Sequence, residues 1–187
     1  MKKSPGVFAY LIFFVILIFP QYLHAEKAEI GDLLVTNNAT HLLVYARVMN
    51  SFTHDMETAI LAGIPTTFTI LVDLYQARRR WLDKKLIGLT IRHTIKYDNV
   101  KRRFFVSSNG DKEPASFEDY ESAKRAMTDL NGVPVTLLST LQKGESYYVE
   151  VKAKLDKVRL PLRMEYVFFF VSLWDFETGW HREGFVY

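Results

Sequence analysis

Five cations fall within residues 78–85: Arg78, Arg79, Arg80, Lys84 and Lys85, with Trp81 among them and Asp83 as the one acid. A guanidinium beside an indole suits a planar anion, a lipid phosphate or a partner's carboxylate, because Arg offers a fork of donors and stacks on aromatic faces. These five cations and Trp81 form the candidate partner- or anion-binding surface. Read as a strand, the segment places Arg78 and Arg80 on one side with Leu82, and Arg79 beside Trp81. The plainer alternative is a solvated hairpin end, whose Lys and Arg discourage edge pairing. Lys101, Arg102 and Arg103 belong to the next turn, at the far end of the intervening strand, which argues against one continuous basic patch.

Other chemistry is sparse. The chain has no cysteine, which excludes disulfides, thiolate nucleophiles and thiolate-bound metals. His41, His54, His93 and His181 form neither an H-E-x-x-H nor an H-x-H pattern, so a metal site would have to assemble across strands. His93 falls on an apolar strand face, where a hydrogen-bonded core histidine is the expected reading. Asp175, Glu177 and His181 resemble an acid–base set by residue type alone. There is no G-x-S-x-G, and Glu118 and Asp119 suit the start of a helix, where its dipole accounts for them. No catalytic, cofactor or metal residue is assigned, and the chain reads as a non-enzyme. Aromatic residues near the C-terminal end carry more weight: Phe176 and Trp180 form a candidate aromatic surface, with Trp180 in a Gly-Trp-His loop.

The elements positioning these residues are mostly strands. Residues 30–36 and 42–49 flank Asn37-Asn38-Ala39-Thr40 and read as a hairpin, with Leu42, Val44, Ala46 and Val48 on one face. A short helix over 53–62 is capped by Thr53 and stopped by Gly63 and Pro65. Phe68, Ile70, Val72 and Leu74 alternate with polar neighbours, as do Ile87, Leu89, Ile91, His93, Ile95 and Tyr97. Residues 103–106 run back, giving three successive antiparallel strands. A second helix is expected from a Ser116 cap to Asn131, ended by Gly132 and Pro134. Strands follow over 147–155 and 164–174, the latter apolar on both faces, with a short edge piece at 185–187. The expected fold is mainly β: one antiparallel β-sandwich-like domain of seven to eight strands with two short helices, spanning residues 26–187.

Composition agrees. Aromatic residues are 14% of the 187, with 14 Phe and 10 Tyr, which favours sheet. Residues 1–25 read as a signal peptide: Lys2 and Lys3 precede an apolar run over 7–19, shorter than the roughly 20 residues a span needs. Cleavage is expected after Ala25; Leu23 is large for the position three before it, which leaves an uncleaved anchor open. Membrane contact is then expected only through residues 7–23. Removing residues 1–25 takes two of the 24 basic residues and none of the 21 acidic ones, leaving 22 against 21 and a net charge of +1. Global charge therefore gives no warrant for nucleic-acid binding.

Several markers in order resemble one family. They are A-I-L-A-G-I-P over 59–65, Arg78 to Trp81 with Asp83, Tyr97-Asp98-Asn99, the 103–106 return strand and Gly144-Glu145 before Tyr147. Leu155-Asp156 with Leu160-Pro161, and Ser172 with Trp174 and Trp180, complete a pattern over 28–182 that is similar to the bacterial DUF4390 family. That resemblance implies an exported, β-rich single domain of unknown function, of a family whose genes often neighbour a membrane sensor kinase and its response regulator. A single Trp follows the arginines where the family pattern has an aromatic pair. The resemblance supplies no catalytic residues. The expected function is a non-enzymatic extracytoplasmic module of the bacterial envelope, periplasmic or anchored facing the periplasm. Its expected partner is an envelope or membrane protein, not nucleic acid. A lipid or glycan binder and an enzyme with a site assembled across strands are the alternatives.

Overall fold

The computed structural model describes residues 27–110, 112–156 and 176–187. The expected leader and the expected strand over 164–174, with Trp174 and Asp175, lie outside them. Nine strands form two antiparallel sheets among the described residues: β1 (Glu29–Asn37), β2 (His41–Met49), β3 (Thr66–Gln76), β4 (Lys84–Asp98), β5 (Arg103–Ser108), β6 (Ala115–Phe117), β7 (Asp129–Leu137), β8 (Ser146–Leu155) and β9 (His181–Val186). The smaller sheet runs β1-β2-β7 and the larger β6-β5-β4-β3-β8-β9. Helix α1 (His54–Leu61) and helix α2 (Tyr120–Thr128) complete the set, with a 3-10 turn at Leu138–Thr140.

Period-two alternation builds the sandwich. Ile70, Val72 and Leu74 of β3, Val149, Val151 and Ala153 of β8, and Val44, Ala46 and Val48 of β2 are all buried in one cluster between the sheets. A second cluster packs Met56 and Ile60 of α1, with Ala123 and Met127 of α2, against Phe68, Ile95, Phe104 and Val106. The inner face of the larger sheet is thus covered by the smaller sheet over one part and by the helices over the other. At roughly 1.5–3 kcal/mol for each fully buried large apolar side chain, these clusters are the main favourable term in a chain with no disulfide.

Helix α1 is as the sequence reads. Met56 N donates to Thr53 Oγ1 at 3.3 Å, while Gly63, at φ +86°, closes a Schellman motif through Gly63 N to Ile60 O and Ile64 N to Ala59 O. The second helix is shorter than expected. Its N-cap is Asp119, whose carboxylate accepts from Ser122 N at 2.7 Å, and Ser116 lies in β6 instead. It stops at Thr128, and residues 129–137 are strand β7. Gly132 is therefore not a helix cap. It sits at φ +69° in an irregularity opposite Val44–Ala46, where a Cβ would meet Tyr45 Oη at 3.0 Å. Helical spacing misled because the competing partner is remote: Arg47 of β2 grips Asp129 through Nε to Oδ1 at 2.7 Å and Nη2 to Oδ2 at 3.2 Å. The fork adds to the β2–β7 ladder that holds the chain in the sheet. Strands β6 and β7 are the two that the sequence pattern did not show.

Candidate binding surface

The outer face of the larger sheet carries the residues that alternate with the core. On β3 these include Asp73 and Tyr75, on β8 Tyr148, Glu150 and Lys152, and on β9 Arg182. Asp73 and Tyr148 are buried although they are polar and face away from the sandwich core. Burial of this kind demands partners. Lys85 Nζ donates to Asp73 Oδ2 at 2.5 Å, and this hydrogen bond holds the Lys85 ammonium above its ordinary pKa. Gly88 pairs with Asp73 across the ladder, and a Cβ there would come within 3.0 Å of Lys85 Cε. The glycine leaves the room that the ion pair occupies.

Between β3 and β4 the chain passes through residues 77–83, which the structure places outside any strand. The alternating arrangement expected of Arg78, Arg80 and Leu82 is therefore replaced by a loop, and the cause is a clamp at its base. Ala77 N donates to Ser146 O at 2.9 Å, carrying the β3–β8 pairing one residue further. Asp83 then turns back and uses both oxygens: Oδ1 accepts from Arg78 N and Oδ2 from Tyr148 Oη, each at 2.9 Å. The Arg78 amide, then the Tyr148 hydroxyl, hold the Asp83 carboxyl below the usual carboxylate range. Burial, then the hydrogen bond to Asp83, push Tyr148 up to about 12.

With its ends tied, the loop presents its middle outward. Arg78, Arg79 and Arg80 are exposed, Trp81 is 77% exposed and Leu82 82%. Arg79 and Arg80 form no hydrogen bond, ion pair or ring contact among the described residues. The loop overhangs an open cleft of about 860 Å³, lined by Arg78, Arg79, Arg80, Asp83, Gly144 and Glu145. Lys84 and Lys85 begin β4; Lys84 stays exposed, while Lys85 is committed to Asp73.

The clamp also joins the loop to the second surface marked in the sequence. Tyr148 stacks on Tyr75 with centroids 5.1 Å apart, and the Arg182 guanidinium lies 3.9 Å from the Tyr148 ring centre. Arg182 Nε and Nη2 both donate to Glu150 Oε1, at 3.0 and 2.6 Å, which holds this guanidinium above its ordinary value. One step along the same face of β8, Lys152 Nζ pairs with Glu177 at 2.5 Å and lies 5.6 Å from the Trp180 ring centre. Trp180 is 45% exposed. Asp83, Tyr148, Arg182, Glu150, Lys152 and Trp180 thus form a ladder along one face.

Phe176 does not belong to it. Its ring meets Phe68 edge-on at 4.9 Å and packs against both core clusters, because Leu155 N donates to Phe176 O and aligns Phe176 with an inward-facing position of β8. The aromatic surface expected of Phe176 and Trp180 reduces to Trp180. His93 is buried and donates from Nδ1 to Met127 O at 2.9 Å, as a core histidine does. Among the described residues no group of three or more His, Asp or Glu is placed to hold a metal ion. Sequence reasoning passed over Tyr75, Tyr148, Glu150 and Arg182. The signal for Tyr75, Tyr148 and Glu150 is the half of the alternation in β3 and β8 that faces away from the core, while Arg182 lies ahead of the edge piece expected at 185–187, which the structure extends to His181–Val186.

The arrangement defines a class: a β-sandwich-like α+β domain with a clamped basic loop at one end of its larger sheet. Residues 25–183 match the family model described as Domain of unknown function (DUF4390), and the chain belongs to that family. No curated protein and no solved structure matches it.

Proposed function

We propose that this protein is a non-enzymatic, extracytoplasmic accessory module of the bacterial envelope. It binds an envelope protein partner through the face that runs from the β3–β4 loop to Trp180, in the service of a membrane signalling or assembly system. The observation that carries the reading is the loop itself. A chain that ties Asp83 to β8 while leaving Arg79, Arg80 and Trp81 outward and unpaired has spent ordering on a surface with no use inside the fold. Arg and Trp are the residue types that dominate binding hot spots. The extracytoplasmic placement rests on the leader-like residues 1–25.

Crosslinking followed by pull-down from envelope fractions tests it. Arg79→Ala, Trp81→Ala and Trp180→Ala are each expected to reduce a specific co-purified protein while leaving the fold intact. Unchanged recovery with all three would sink the assignment.

A further inference from the structure

We propose that the tip of the β3–β4 loop, residues 78–82, docks on the surface of an anionic phospholipid bilayer. This rests on the reading of the loop as a binding surface and gives part of it an occupant that is not a protein. Single exposed apolar side chains are ordinary. Here two large ones, Trp81 and Leu82, are adjacent, over three-quarters exposed, and follow three arginines without interruption. Tryptophan favours the boundary between headgroups and acyl chains, and basic residues beside it are drawn to anionic headgroups. Guanidinium groups match phosphate oxygens two donors at a time.

The charge balance supports this occupant. Among the residues lining the cleft Arg78, Arg79 and Arg80 outnumber Asp83 and Glu145. Asp83 is exposed, but its two oxygens are engaged by Arg78 N and Tyr148 Oη, whereas Arg79 and Arg80 have no partner among the described residues. Trp81 and Leu82 are exposed and are not among the residues that line the cleft.

The test uses the full chain with Trp81 as its sole tryptophan, made by W174F and W180F. It is mixed with vesicles of phosphatidylcholine and phosphatidylglycerol carrying brominated acyl chains. Contact shifts Trp81 emission to the blue and quenches it, wherever residues 7–23 hold the rest of the chain. The R79Q/R80Q variant is expected to need about 30-fold more lipid for the same quenching, and R79K/R80K to retain most of it. A chain with Trp180 alone, made by W81F and W174F, is expected to stay unquenched. Trp81 emission unchanged by the vesicles, or quenched equally in pure phosphatidylcholine and in R79Q/R80Q, overturns the proposal. Emission that responds only to an added acidic envelope protein also overturns it, while leaving the broader binding reading in place. Partner capture that survives Arg79→Ala, Trp81→Ala and Trp180→Ala is the separate result that removes the broader reading.

Discussion

Strand β4 ends in a basic turn on each side, and the two turns treat their charges differently. At one end, residues 99–102 lead from β4 into β5. Asp98 Oδ1 accepts from Val100 N and Lys101 N at 2.9 Å, Lys101 lies 5.4 Å from the Phe105 ring centre, and Arg103 pairs with Glu118 at 3.0 Å. The turn uses Lys101 on its own sheet, and Arg103, the first residue of β5, pairs with the chain leading into α2, while Arg102 alone is left exposed and without a partner among the described residues. At the other end, a 15-residue strand and about 45–50 Å away, the β3–β4 loop also turns an aspartate back on its own backbone. Its second carboxylate oxygen, however, is held by Tyr148 on β8, and Arg79 and Arg80 find no partner among the described residues. Both turns expose an apolar side chain, Val100 in one and Trp81 with Leu82 in the other. Cation density in a sequence therefore does not show how many of its charges the fold leaves without a partner. What distinguishes the two ends is how much of the charge the fold has already consumed.

The sharpest way to break this comparison is to remove equal charge from each end. R79Q/R80Q should weaken binding to anionic vesicles by about 30-fold, while K101Q/R102Q should leave it within about 3-fold. Equal losses would mean that net charge alone matters. The next test concerns the clamp. Tyr148→Phe or Asp83→Ala should speed hydrogen exchange at the Arg78 amide by about tenfold, the order of one hydrogen bond to a charged group. The amide of Lys101 should be unaffected by either change.

Titration separates the ends further. Asp83 and Asp98 both sit below the ordinary carboxylate value, the latter chiefly through the Lys101 amide. Each stabilising contribution is present above about pH 4 and is lost as pH falls through the depressed value. Only the loop has an alkaline limb. Tyr148 is raised, so its contribution is complete below about pH 10 and disappears as pH rises through about 12. Trp81 anisotropy in the sole-tryptophan chain should fall at both extremes, and Tyr148→Phe should abolish the alkaline fall alone. The smallest effects divide Phe176 from Trp180. Phe176→Ala should cost about 2–3 kcal/mol in denaturant unfolding and Trp180→Ala under about 1 kcal/mol. Equal costs would return Trp180 to the core.

Much of the fold was legible in the chain because alternation in β2, β3, β4 and β8 is a local signal, set by the pleat. The caps of α1 were legible for the same reason: Thr53 and Gly63 act within their own turn. Strand β7 was not. Leu130, Gly132 and Pro134 carry cues that a helix end shares, and the remote pairing with β2, from His41–Leu137 to Arg47–Asp129, together with burial of Leu130 and Val135, decides between them. The basic loop was legible as composition, but its conformation was not, since Asp83 and Tyr148 are 65 residues apart. Phe176 and Trp180 looked alike in sequence, and the register against β8 turned one inward and left the other at the surface.

By itself, then, the sequence determined the strand faces, the first helix, the family and the position of the basic cluster, because each depends on residues near in sequence or on their order. Tertiary structure alone decided which cations remain free, which aromatic ring is exposed, and that the loop and Trp180 share one face. Those outcomes depend on long-range pairing along β8, where Tyr148, Glu150 and Lys152 each meet a partner supplied by a distant part of the chain.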